Sequence, residues 1–414
     1  MATSRRIIPI SSGKGGVGKT TFALNYALSL ARHGRTLLLD LDTGTSSVRN
    51  CLDTPVDRDL YHFFKKGHAL TDCVTTLSPK LDPRGQFGNF GFVAAPKHMI
   101  EDITNFTPAR REQLIDAING LDVPFIVLDL KSGLDANVIE FLPYSNSGIL
   151  VFTPHLTAAT MAASDIVKAI LFRKLRAIFA PESPVYGELN GIKPEFVNAL
   201  IDRVEDVYDD SVQNLDAFAA DLGNALGDHP IVQVVTKTID TFNVHFVLNM
   251  FNGVKESYDT AIKPFVQNLV ENVSGNMTIL NLGWIIAHSE INKANMKRVP
   301  VVLQAEEKAP AVPKKDAAAT ELSRLAAQYL GSKPGGMRPP SNPFKPDPKI
   351  YLDNQLDTLK KMYDDMKGAS YRENFKYLAY RSLHVMTSRR AGDFGDTRIF
   401  KQAEIGQALA RRPR

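Results

Sequence analysis

The stretch "SSGKGGVGKTT", Ser11 to Thr21, decides the fold. From Gly13 to Thr20 it satisfies G-x-x-x-x-G-K-[ST], with the β-branched run "RRIIPI" before it and the helical pattern "GKTTFALNYALSLARH" after it. Strand, glycine loop and helix in that order separate a phosphate-binding loop from a chance glycine turn. Gly13, Gly15, Gly16 and Gly18, with Val17 between them, let backbone N–H groups converge on phosphate oxygens, and the helix start adds positive potential. Lys19 brings a point charge to the β- and γ-phosphates, while the Thr20 hydroxyl, followed by Thr21, is a ligand for Mg²⁺. One lysine is enough for such a loop. Lys14 is a second.

Working outward, Phe22, Ala23, Tyr26, Ala27 and Leu30 recur at helical spacing, and Gly34 supplies a stop. The runs "RTLLLDLD", "FGFVAAP", "PFIVLDL" and "SGILVFTP" are continuously apolar, as strands buried on both faces must be. Their alternation with helical patterns predicts an α/β fold with a mostly parallel, doubly wound sheet. Ligands of such sheets bind at the carboxyl ends of the strands. Between residues 181 and 237 the rhythm becomes purely helical, predicting an insertion, before "NVHFVLNM" and "MTILNLGWII" resume it. A last body helix is expected from Asp316 to Tyr329. The Pro/Gly-rich residues 332–348 form a linker, and 349–414 a basic helical extension beyond a 1–331 domain.

Two acids complete the loop's chemistry. Asp129 ends the "PFIVLDL" strand, where a P-loop protein keeps the carboxylate that anchors Mg²⁺, and Asp42 ends "LLLDLD", where it can orient or activate a water.

Composition sets the bounds. The 414 residues are 44% hydrophobic and 23% charged, ordinary for a globular protein. Cys51 and Cys73 have neither the number nor the spacing of a disulfide or metal framework, so reduced cytoplasmic thiols are expected. The first apolar run is about four residues, shorter than the roughly 7–15 of a signal segment, and no run approaches the about 18 of a membrane span. Of the net charge of +4, residues 349–414 carry 14 Lys and Arg against 8 Asp and Glu, leaving 35 against 37 for the rest. A basic extension on a near-neutral body favours an anionic partner for the extension.

Lys14 to Thr20 resembles, without a mismatch, the deviant Walker A motif K-G-G-x-G-K-[ST] of the MinD/ParA family of P-loop ATPases. The resemblance runs from about Arg6 to Gly331. "DLDTGTSSVRNCL" is similar to the family's first switch and "DLKSGLDANVIEFL" to its Walker B and second switch; FlhG-like and MinD-like members are nearest. It implies an ATP-dependent, partner-stimulated ATPase that dimerises and positions or counts a cellular structure, with ATP/ADP and Mg²⁺ as cofactors. Lys14 would act across the dimer on the partner's phosphates. Asp42 would orient the water, Asp40 would join the magnesium network with Thr20 and Asp129, Gly133 would contact the γ-phosphate and Asn249 would read the adenine edge. Two positions depart from the pattern: Lys131 follows the Walker B pair where relatives have a small residue, and Ile286 in "GWII" replaces a proline. A scaffold that binds nucleotide with little turnover is the alternative, and the five tail tyrosines keep a kinase reading open. In "YRENFKYLAYRSLHVM", Tyr371, Phe375, Leu378, Ala379, Ser382 and Met386 share one helical face, which fits either a peripheral contact at the inner face of the cell membrane or packing on protein. Non-specific DNA ranks below a protein partner.

Overall fold

Continuous runs of Ile, Leu and Val have no face to offer water, so they settle in the middle of a sheet covered on both sides. The computed structural model describes residues 5–44, 47–142, 146–180, 194–206, 212–304 and 348–388. In it, β1 (Arg6–Ser11), β2 (Thr36–Leu41), β3 (Thr75–Thr76), β4 (Phe90–Val93), β5 (Phe125–Leu130), β6 (Ile149–Phe152), β7 (Asn243–Phe251) and β8 (Thr278–Ile286) form one sheet. Its order is β3-β4-β2-β5-β1-β6-β7-β8. Every pairing is parallel except β3 with β4. Seven strands fall where the apolar runs predict them; the two-residue β3 is too short to leave a pattern. Register sets Ile10 of β1 and Asp40 of β2 on either side of Asp129 of β5, so the loop and both acids meet at one edge of the sheet.

The chain winds outward from β1 to β2 and β4, returns to β5, and winds outward again through β6, β7 and β8. Right-handed crossovers therefore place the first helices, α1 (Lys19–Leu30), α2 (Ser47–Cys51) and α3 (Leu60–Lys66), on one face. The later ones, α4 (Pro108–Asn119) and α5 (Thr157–Ile178), lie on the other. Among the described residues, the predicted insertion holds three helices, α6 (Pro194–Glu205), α7 (Leu215–Leu226) and α8 (Pro230–Asp240), the last ending slightly beyond its expected limit. Each buries a stripe at helical spacing: Val197, Ile201 and Val204; Leu215, Phe218 and Leu222; Ile231, Val235 and Ile239. α9 (Lys263–Asn272) packs on α5, and α10 (Ser289–Lys297) reaches α2.

This winding supplies no crossover helix to the first face over β7 and β8. The chain's C-terminal helices close that gap: α11 (Pro348–Asp365) packs on β8 and α9, and α12 (Tyr371–Ser388) packs on α1 and β8. Gly283 makes the close approach possible, because a Cβ there would lie 2.9 Å from the Leu378 side chain. Edge strands expose unpaired backbone groups. Here Gln355 donates to Ile279 O (2.9 Å), Arg381 donates to Asn281 O (3.2 Å), and Ile286 N donates to Asn374 Oδ1 (3.4 Å). Tyr26 on α1 and Ser382 on α12 share a buried hydroxyl contact of 2.7 Å.

The membrane reading of this helix is corrected accordingly: Phe375, Leu378, Ala379, Ser382 and Met386 are buried against the body. No helix among the described residues is long and apolar enough to cross a membrane. The expected helix at 316–329, nearly all of the linker at 332–348, and residues 389–414 lie outside the described residues.

Candidate nucleotide site

β1 delivers the loop and α1 begins at Lys19. Gly18, the residue before the helix, has φ 81°, and a Cβ on it would lie 2.2 Å from Asn249 Nδ2, so only glycine fits. Gly13 lies against Ala162 of α5, and Val17 is buried. Lys14, Gly15 and Gly16 stand exposed at the rim. The Lys14 charge is felt by Asp165 on α5, whose carboxyl is raised by burial and drawn back by Lys168 and Lys14. Thr20 opens the helix beside Lys19, whereas the Thr21 hydroxyl accepts from Asn295 of α10 (3.0 Å) and faces that helix.

Beneath the loop, Lys19 Nζ contacts Asp129 Oδ1 at 2.6 Å, both side chains being buried. Burial pushes the Asp129 carboxyl up, and Lys19 draws it back. Its second oxygen, Oδ2, is buried without a hydrogen-bond partner. Asp40 is fully buried and raised to about 8, first by desolvation and then by the charge of Asp129. Its oxygens accept from Asp42 N (3.2 Å) and Val48 N (2.9 Å). Asp40 therefore holds the backbone of the segment carrying Asp42.

This donor set fits a magnesium–phosphate group. The Thr20 hydroxyl and Lys19 both reach the Asp129 carboxyl, and an open glycine rim stands above. Among the described residues, no three His, Cys, Asp or Glu side chains converge to hold a metal alone. Mg²⁺ bound through one or two protein groups plus phosphate oxygens needs no such cluster.

A family model described as an AAA domain matches residues 5–175. The putative septum site-determining protein MinD of Chlorella vulgaris is 31% identical over 154 residues, 37% of this chain and 52% of that protein. The Escherichia coli K12 septum site-determining protein MinD is 28% identical over 183 residues, 44% of this chain and 64% of that protein. The chain is similar over this part to septum site-determining MinD proteins, which are P-loop ATPases of the MinD/ParA family. It spans about half the length of several of the curated MinD relatives it matches. Among solved structures, the MinD of Pyrococcus horikoshii, complexed with Mg-ADP, aligns over 73% of this chain and 90% of its own at 16% identity, with a TM-score of 0.43.

Against the MinD/ParA pattern, two of the expected contacts are differently occupied. Gly133 donates its N–H to Ser12 O (2.9 Å), and Ser132 Oγ lies 3.1 Å from Ser12 Oγ, so the second switch is fastened to the start of the loop. A γ-phosphate contact requires Gly133 to let go of Ser12. Asn249 is buried and donates one amide N–H to Val17 O (2.7 Å), which makes it a support under the loop. Lys131 is drawn toward Asp135 at 3.4 Å, within the second switch. The missing proline has a structural reason, since Ile286 N–H bonds to Asn374 of α12 and proline has no N–H to give.

Sequence reasoning missed Ser12, Ser132 and Asn295. Ser12 and Ser132 each adjoin a residue already singled out, Gly13 and Lys131, and adjacency was the only signal. Asn295 gives none, because it comes 274 residues after the Thr21 it contacts.

Proposed function

We propose that this chain is an ATP-dependent switch, an ATPase whose nucleotide state controls binding to itself and to a partner, and that it positions a cellular structure. Division machinery is the first candidate, because the similar proteins named above determine the septum site. Flagellar or partition machinery is the second. The observation that carries the reading is the buried Lys19–Asp129 pair under an exposed loop that holds a second lysine.

Bound Mg²⁺–ATP brings the electrophilic phosphorus and the metal charge; the protein's part is to bind, orient and exclude. Lys19, which contacts Asp129, would hold the phosphate oxygens, and Asp129 and the Thr20 hydroxyl would hold the metal. Asp40 fixes the backbone of Asp42, whose carboxylate orients water toward the phosphate. Lys14, together with the exposed Leu134, Leu156 and Met161, supports a second copy docking at this end, with the lysine supplied across the interface. A cation supplied in trans stabilises transferring phosphoryl charge only in the dimer.

The test is single-turnover hydrolysis. Asp42→Ala should retain bound ATP while slowing its cleavage at least about 100-fold, within the range of a positioned general base. An unchanged rate removes Asp42 from the role. The fastening of Gly133 to Ser12 favours the alternative, a nucleotide-holding scaffold, if the wild-type chain binds ATP tightly and does not cleave it. Membrane contact, on either reading, falls to surfaces other than the buried face of α12.

A further inference from the structure

Away from the loop, a cavity of about 580 Å³ opens between the end of α1, the 81–87 loop and the start of α12. Arg32, Arg84, Arg372 and Lys376 line it, so cations arrive from three separate segments. Among the described residues its wall holds one acid, Asp82, whose carboxylate oxygens accept from Gln86 N (2.8 Å) and Phe87 N (2.7 Å). Arg32 is braced over the Phe87 ring at 5.3 Å, which fixes a guanidinium at the wall. Arg372 Nε is buried without a hydrogen-bond partner. An unsatisfied buried donor of that kind is costly unless a ligand meets it. His33, at the end of the same helix, is held below its usual range by burial and then by the charges of His384 and Arg32, which is consistent with a positive local field.

We infer that this cleft is a second anion site, separate from the loop, that takes a small ligand bearing adjacent phosphoryl groups. Planar guanidinium forks match phosphate oxygens in pairs, and the volume suits a small ligand, not a nucleic-acid strand. Because Arg84 belongs to the body and Arg372 to the C-terminal helix, a bound anion draws the two together. Occupancy therefore strengthens the seating of α12.

The experiment is titration calorimetry with inorganic pyrophosphate on the full chain carrying Lys19→Ala, which removes loop binding and separates this inference from the switch reading. One saturable site per chain is expected. Arg84→Glu should weaken it at least about tenfold, as should Arg372→Ala, while Lys263→Glu on the opposite face leaves it unchanged. Hydrogen exchange of residues 371–388, without ligand, checks that each variant keeps α12 seated; with pyrophosphate, that segment should exchange more slowly in the parent. Absence of saturable binding overturns the proposal, as does equal weakening by Lys263→Glu. Recruitment to anionic phospholipid vesicles that depends on Arg84, without pyrophosphate binding, also overturns it and marks the cleft as a lipid-facing surface.

Discussion

Two parts of the sheet, its central strands and its β8 edge, treat buried polar groups in opposite ways. At the central strands β1, β2 and β5, charges are buried and left poised: Lys19 on Asp129, a free Asp129 Oδ2, and Asp40 raised to about 8. At β8, backbone groups that an edge strand would present to water are bonded by side chains of a segment that follows much later in the chain. The first arrangement sacrifices stability so that a ligand can complete it, and the second is finished without one. A buried ion pair adds little to stability compared with well-packed apolar groups, whereas breaking one is expensive. The poised centre is therefore where binding is expected, and the sealed edge is where the fold's stability is expected to concentrate.

Variants that strike each part should separate the two. Phe375→Ala, emptying a buried ring position between α12 and α1, should cost about 3–5 kcal/mol and lower the melting temperature without changing nucleotide affinity in the folded fraction. Equal melting for the variant and its parent would mean that α12 is not seated. Lys19→Ala should do the reverse to function, weakening ATP binding at least about 100-fold by equilibrium dialysis, a loss of about 3 kcal/mol. Retained binding would remove the lysine from the phosphates.

A third effect belongs to the poised centre alone. Asp40 is ionised above about pH 4 when unfolded but holds its proton to about pH 8 when folded, so its contribution is complete below about pH 4 and is lost as pH rises toward about 8. Melting should fall between about pH 6 and 8, by up to about 1–3 kcal/mol for one group, and Asp40→Asn should flatten the slope. A slope that survives the substitution assigns it elsewhere. Smallest, at the sealed edge, Ile286→Pro removes the N–H given to Asn374 and should cost about 1 kcal/mol of hydrogen bonding, plus any strain, in chemical denaturation. A stabilised protein would contradict the seam.

Much of this was legible in the sequence because the signals are local. Continuous apolar runs gave seven strands, the glycine loop gave the start of α1, and acids at strand ends gave Asp42 and Asp129, with Asp40 added only by the resemblance. What was not legible depends on contacts between distant residues. The stripe through Phe375 and Met386 reads equally as a lipid-facing or a protein-facing helix, and β8, about 100 residues earlier, decides it. Ile286 stands out as a departure from the family pattern, yet its reason is Asn374. Asn249 and Gly133 carry roles through the resemblance, but the structure shows each bonded to the loop or its start, at Val17 and Ser12. Two-residue β3 leaves no period to read.

The most direct test of the switch is oligomeric state by light scattering, with no nucleotide, with ADP, and with ATP in an Asp42→Ala background that blocks turnover, the last repeated with Lys14→Ala. The account predicts a dimer with ATP only, lost when Lys14 is removed. A monomer throughout, or a dimer indifferent to nucleotide and to Lys14, would contradict it.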